Sequence, residues 1–396
     1  MRLGLALLAI GVPCGAVGSR RLVFSLMPVG AALLVLGALL APSRDMRRQW
    51  QATFLTPTAL TALFLLGWMA LSLLWSPFAG TGLERMLKTG GTAALAALTV
   101  ALLPERTKTS NLYLLPIGVG AAATATILVA FLAPGASQLR GADIEGSAIE
   151  RAALTLIMMM WPALGALAIR ERWSSAGALS VAVAAAAIAV WTPISLVALA
   201  LGAITFGMAA SRPRATSIAL AGIFFALFAA APVIGLVGGL VATRLHVDPD
   251  GPFGSFPVWA DLVRHEGIRL LTGHGLDMTT RGVTYQYLPA HTPRSLLFEV
   301  WYDLGAVGAI ASGVVAARAF LAAARATQPL GPFLTASLVS GLVVAISGLS
   351  TAQLWWITLL AVVGIAFGLV VRGQYRTQRP RLATSLARSE PALEQR

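Results

Sequence analysis

The chain has 396 residues, of which 57% are hydrophobic and only 11% charged, and a mean hydropathy of +0.79. That balance excludes an ordinary soluble domain. A formal charge of +13 would suggest nucleic acid in a soluble protein, but the arginines fall between apolar runs and in the tail, where orientation in a bilayer explains them and no nucleic-acid partner is implied.

Crossing about 30 Å of hydrocarbon takes roughly 20 apolar residues, and by that ruler the chain reads as an all-α, polytopic transmembrane helix bundle of about 12 spans. The runs are 3–18, 22–41, 57–75, 88–103, 112–133, 152–169, 176–191, 194–210, 216–241, 294–321, 331–349 and 353–371. The first is read as an uncleaved signal anchor, because a second apolar segment follows almost at once and Gly11-Val12-Pro13-Cys14 is a poor lipoprotein cleavage site. Cys14 is the sole cysteine, so no intramolecular disulfide forms. Pro193 either separates two spans or kinks one. Abundant glycine and the alanine-rich 182–187 give small helix faces suited to close approach.

The organisation that follows is nine spans in 1–241, a large loop at 242–293, three spans in 294–371 and a polar tail at 372–396, expected to be disordered. With the N-terminus inside, most of the 29 lysines and arginines lie on the cytoplasmic side, both termini are cytoplasmic and the large loop is extracytoplasmic; Arg20 and Arg21 count against this orientation.

All four histidines, His246, His265, His274 and His291, fall in or beside the loop. Ser255-Phe256-Pro257 reads as a helix start with Ser255 as N-cap. Phe256, Trp259, Ala260, Val263 and Leu270 form one face of the resulting amphipathic helix, with Asp261, Arg264 and His265 on another; it either lies on the membrane surface or packs over the bundle as a plug. Gly273 and Gly275 around His274 allow a tight turn and close approach of backbone to a ligand. Thr292-Pro293-Arg294-Ser295 then caps a helix of about thirty residues, roughly 45 Å long, whose first turns stand out of the hydrocarbon. On it Ser295, Glu299 and Asp303 share one line, and Gly305, Gly308, Ala309 and Ser312 make a small-residue seam. Ionisable residues near a membrane suggest function, although Glu299 and Asp303 would also pair with loop arginines. No histidine pair has i, i+4 spacing, so no metal site is expected.

Leu271-Thr272-Gly273-His274-Gly275-Leu276-Asp277, then His291 and Ser295, then Phe298-Glu299-Val300-Trp301-Tyr302-Asp303-Leu304-Gly305-Ala306-Val307-Gly308, resemble the signature of the bacterial O-antigen ligase and polymerase superfamily. Trp75-Ser76-Pro77 and Glu150-Arg151 also look like family positions. The resemblance implies an inner-membrane glycosyltransferase that moves a glycan from a polyprenyl pyrophosphate donor to an acceptor hydroxyl, on lipid A core or a growing glycan, at the periplasmic face and without metal or other cofactor. It implies arginines that hold the pyrophosphate, for which Arg151, Arg244, Arg264 and Arg294 are the candidates, and a histidine, His291 or His274, that acts as base or orients the acceptor, with Ser295, Glu299 and Asp303 beside the substrate. Two positions depart from the pattern. Arg294-Ser295 stands where many members have histidine followed by asparagine or serine, and Ser255-Phe256 replaces an arginine ahead of the amphipathic helix. A polytopic transporter or an inactive scaffold of a polysaccharide assembly complex are the competing expectations.

Overall fold

The computed structural model describes residues 1–40, 54–103, 109–132, 148–248, 251, 253–348 and 353–373. Among these every regular element is a helix. The tail expected to be disordered lies, beyond residue 373, outside the described residues. In chain order the helices are α1 (Arg2–Gly18), α2 (Arg20–Leu39), α3 (Pro57–Ser72), α4 (Ala79–Leu102), α5 (Leu114–Leu132), α6 (Ala148–Ala168), α7 (Trp173–Val190), α8 (Pro193–Ser211), α9 (Pro213–Ala229), α10 (Ala231–Arg244), α11 (Phe256–His265), α12 (Arg269–Thr272), α13 (Met278–Thr284), α14 (Leu296–Ala323), α15 (Leu330–Ile346) and α16 (Leu354–Val371).

Seven of them (α2, α5, α6, α7, α8, α14 and α16) are long and apolar enough to cross a membrane, and α9 with α10 makes an eighth if the bent pair is one span. The apolar α1, α3 and α15 are shorter. The protein is therefore an all-α, multi-pass membrane protein. Trp191 adopts a left-handed conformation between α7 and α8, so Pro193 starts a new helix in its first turn, where the missing N–H costs nothing. The run 216–241, expected as one span, is instead bent by 73° at Ala230. Pro232, at the start of α10, cannot continue the hydrogen-bond ladder of α9.

Helix α6 is the hub. Of its most apolar window 94% is buried, and α1, α5, α7, α8, α15 and α16 pack around it. Trp161 of α6 donates through Nε1 to Ser340 Oγ (3.1 Å), which donates to the Ala198 carbonyl (3.0 Å). This ties α6, α15 and α8 together at a depth where no water competes. Ser340→Ala removes the relay, and about 1 kcal/mol of unfolding free energy in bicelles is expected to go with it, within the range for interhelical hydrogen bonds in membranes. Denaturant or steric-trap titration measures the loss.

A second core joins α14 to α9 and α11, with Phe224 stacked on Phe320 and Trp259 edge-on to Phe298. The apolar face of α11 packs on α10, where Gly235 and Gly239 leave room for Trp259 and Ala260, while Asp261, Arg264 and His265 are exposed. The amphipathic helix thus packs its apolar face on the bundle. Ser255 is not its N-cap in the expected sense. It lies in the α region without a side-chain cap, because the turn bonded from Phe256 to Phe253 already brings the chain in with helical curvature.

At the far end of the bundle Arg170 lies over the Tyr113 ring, 3.7 Å from its centroid. Arg172, then Arg170, hold the Tyr113 hydroxyl below the usual phenol range.

Candidate functional site

Helix α14 is not continuous. At Gly305 the backbone turns to φ 66°, ψ −166°, a combination that only glycine adopts without strain. The break takes three carbonyls out of the helical ladder, and buried carbonyls must find donors. The backbone N–H of His274 donates to Tyr302 O and that of Gly275 to Asp303 O, both at 2.9 Å. Trp68 of α3 donates through Nε1 to Leu304 O at 2.8 Å. The 273–276 segment is fastened on its other side as well: Ser76 Oγ donates to Leu276 O (2.8 Å) and Leu276 N–H donates to Ser72 Oγ (3.3 Å). The expectation that the two glycines admit a ligand is corrected. A Cβ on Gly273 would come to 2.6 Å from Gly305 N, and one on Gly275 to 2.5 Å from the Ser76 Cα, so the close approach is of backbone to backbone. Gly305 likewise serves the break and is no part of a packing seam.

The face of α14 that carries Glu299 and Asp303 points to a buried charge cluster. Arg85 of α4 donates to Asp277 (3.1 Å) and to Glu299, and approaches Asp303 to 4.0 Å. Asp303 accepts from the Asp277 N–H (3.0 Å) and from the N–H (2.7 Å) and hydroxyl (2.6 Å) of Thr279. Arg281 reaches Asp277 from the solvent side at 3.4 Å. The side chains of all three carboxylates are at most 5% exposed. Burial of ions in low dielectric costs several kcal/mol each and persists only where partners and hydrogen bonds are complete. Glu299 and Asp303 thus face one way, as their spacing requires, and the partner they share is an arginine of α4.

The neighbouring face of α14 holds His274. Its ring stacks on Tyr302, centroids 4.2 Å apart and planes 12° from parallel. Nε2 lies 2.7 Å from the Glu266 carboxylate and Nδ1 faces Tyr302 O at 3.3 Å, so each ring nitrogen meets an acceptor. The Glu266 and Tyr302 side chains line the same cavity, completed by Arg269 and Trp301; it measures about 20 Å³, room for one water.

The remaining candidates lie elsewhere. His291 and Arg294 are exposed on the connection between α13 and α14, and Arg244 and Arg264 are exposed on α10 and α11. Ser295 is the N-cap of α14 and accepts from the Leu297 N–H at 3.3 Å. Arg151 is buried in the first turn of α6, beside Ile149 and Ala153, which pack on Val190. The 273–275 turn docks on α14 at Tyr302 and Asp303, and Arg151 is not among the residues that line the cavities described beside them.

Three of these cavities frame the knot. Two are apolar, of about 320 Å³ and about 460 Å³; they adjoin at Leu296, Leu338 and Leu342, which line both, and Glu299 and Asp303 line the first, so an apolar cleft lies beside these carboxylates. The third, of about 180 Å³, is polar and lies between α4 and α13 around Arg85, Lys88 and Arg281. Sequence reasoning missed Arg85 and Thr279, and it assigned Glu266 and Asp277 no role of their own. The signal for Arg85 was present: Glu84, Arg85 and Lys88 immediately precede an apolar run, and α4 starts at Ala79, nine residues before the run was taken to begin.

No family profile matches the sequence, and no curated protein matches it.

Proposed function

We propose that this chain is an inner-membrane glycan transferase of the O-antigen ligase or polymerase type, with about 12 spans, cytoplasmic termini and a periplasmic 242–293 loop. The observation that carries the proposal is the knot. Trp75-Ser76-Pro77, 271–277 and 298–308, three of the stretches on which the resemblance rests, meet at the α14 break, although about 200 residues separate the first from the others. The knot lies between an apolar cleft and a polar pocket. That pairing suits an amphiphile whose hydrocarbon stays in the bilayer while its head reacts at the boundary.

In the reaction, the bond from the sugar anomeric carbon to the oxygen of the donor phosphate breaks and polyprenyl pyrophosphate leaves as an anion. The bond from the acceptor oxygen to that carbon forms, and the acceptor proton passes to a base. Glu266 is the base in this proposal. His274 is the residue that positions it, since both its nitrogens already face acceptors. Arg269, beside them, and the exposed Arg294 are the cations for the leaving group.

The test is transfer from a polyprenyl pyrophosphate glycan by the purified chain in nanodiscs. Arg294→Lys is expected to lower turnover about 10²-fold, because lysine keeps the charge but loses two-pronged contact with phosphate, whereas His291→Ala should leave most of it. A fully active Arg294→Lys would remove that arginine from the pyrophosphate site. Absence of any covalent product from the wild type would overturn the proposal. It would favour a permease, the reading that a broken helix beside buried charges also supports.

A further inference from the structure

Next to the polar pocket beside Arg85 stand aromatic residues that neither the fold nor the proposed chemistry has used: the Phe78 carbonyl accepts from the Thr81 hydroxyl and the Tyr285 N–H donates to the Arg281 carbonyl, and Thr81 and Arg281 both line the pocket. Tyr285 and Tyr287 are 62% and 66% exposed, yet they are not loose. Tyr285 stacks on Phe78 at the head of α4, with ring centroids 5.3 Å apart, and Tyr287 meets the same ring edge-on at 5.9 Å. The turn that presents them is pinned at both ends: Tyr285 N–H donates to Arg281 O (2.8 Å), and Leu288, buried, donates from its N–H to Gly282 O (3.0 Å). Gln286 between them takes a left-handed φ of 62°, a conformation that is costly for a side chain of this size and that the surroundings must enforce. Two wet aromatic rings are thus held in place by a rigid turn.

The pocket is lined by both signs of charge and by hydroxyls: Arg85, Lys88 and Arg281, Glu84 and Asp277, and Thr81 and Thr280. Lys88 is paired with Glu84, and Arg85 and Arg281 with Asp277, so a phosphate would have to compete with carboxylates already in place. A neutral polyol suits all of these groups, because each hydroxyl both donates to a carboxylate and accepts from a cation or threonine. Its volume, about 180 Å³, is small beside the roughly 300–1,000 Å³ of pockets for drug-sized ligands. An aromatic ring with one face available offers a platform for the C–H face of a sugar ring, while the polar edge stays wet.

We propose that Phe78, Tyr285 and Tyr287 with the adjoining pocket form a saccharide subsite, which holds a neutral sugar ring of the glycan during transfer. This rests on the glycan-transferase reading for its purpose, but its binding chemistry is independent of catalysis. Tyrosines are also used as interfacial anchors among lipid headgroups. That role needs no mixed-charge pocket and no stacked, pinned turn.

The test is binding of short lipid-free oligosaccharides, neutral hexose and N-acetylhexosamine chains, to the full chain in nanodiscs by saturation-transfer NMR and calorimetry. Wild type is expected to bind. The Tyr285→Phe/Tyr287→Phe variant should bind within about twofold of wild type, since the rings remain, and Tyr285→Leu/Tyr287→Leu, which keeps apolar bulk and folding, should lose about tenfold or more. In the transfer assay the leucine variant should show a raised KM with little change in kcat. Leucine-variant binding equal to wild type, or no saccharide bound by wild type, would overturn the subsite, and the tyrosines would then be lipid anchors. Saccharide binding by a wild type that makes no covalent product would leave the subsite standing and overturn the transferase reading alone.

Discussion

Replacing Arg85 with methionine is expected to cost about 3–5 kcal/mol of folding free energy, the range for removing one partner from a buried ion cluster. The side chain is 11% exposed and faces Asp277, Glu299 and Asp303, none more than 5% exposed. Without it three carboxylates crowd one site, with Arg281 at its solvent edge. Apolar contacts of methionine recover part of the lost packing but none of the charge balance. The double variant Arg85→Met/Glu299→Gln should be more stable than Arg85→Met alone, because it removes one of the stranded charges. The measurement is the monodisperse yield and unfolding free energy of each protein in the same bicelles. Equal stability of Arg85→Met and wild type would show that the carboxylates do not depend on this arginine.

Glu266→Gln is expected to lower glycan transfer about 10²- to 10⁴-fold, the contribution of a general base, while leaving the fold intact. Glutamine has the same shape and retains an acceptor for His274, so the α12 turn should stay docked. His274→Ala should reduce turnover less than Glu266→Gln if the ring only positions the carboxylate. It should also loosen the turn, because the stacking on Tyr302 (4.2 Å) and the contact to Glu266 (2.7 Å) disappear together. Single-turnover transfer by the two variants ranks the residues directly, and hydrogen exchange over 269–277 separates loss of chemistry from loss of docking. A Glu266→Gln protein with wild-type turnover would move the base elsewhere in the loop.

The sequence by itself determined that the chain is a helical, multi-pass membrane protein, because apolar run length and the cost of an unpaired backbone group in hydrocarbon leave only helices or a closed barrel as spanning structures. It also determined the local face shared by Glu299 and Asp303, since residues four apart on a helix are neighbours whatever the tertiary fold. The start of α14 within 292–295 was legible for the same local reason, and the cap itself falls on Ser295. What the sequence left undecided was long-range. Nothing local to Glu84-Arg85-Met86 states that this arginine faces residues about 200 positions later, and nothing in 298–308 distinguishes a small-residue seam from a break. Gly305 is a break because Gly273 crosses it too closely for any Cβ, and because Trp68, His274 and Gly275 take the carbonyls it frees. Each of those partners comes from outside α14. His274 was singled out as a residue, but its pairing with Glu266 and Tyr302 depends on how α12 docks. Local chemistry, which acts within a turn or two, wrote the helices. The charge cluster, the helix break and the aromatic cluster are meetings of distant segments, and tertiary packing alone brought them together.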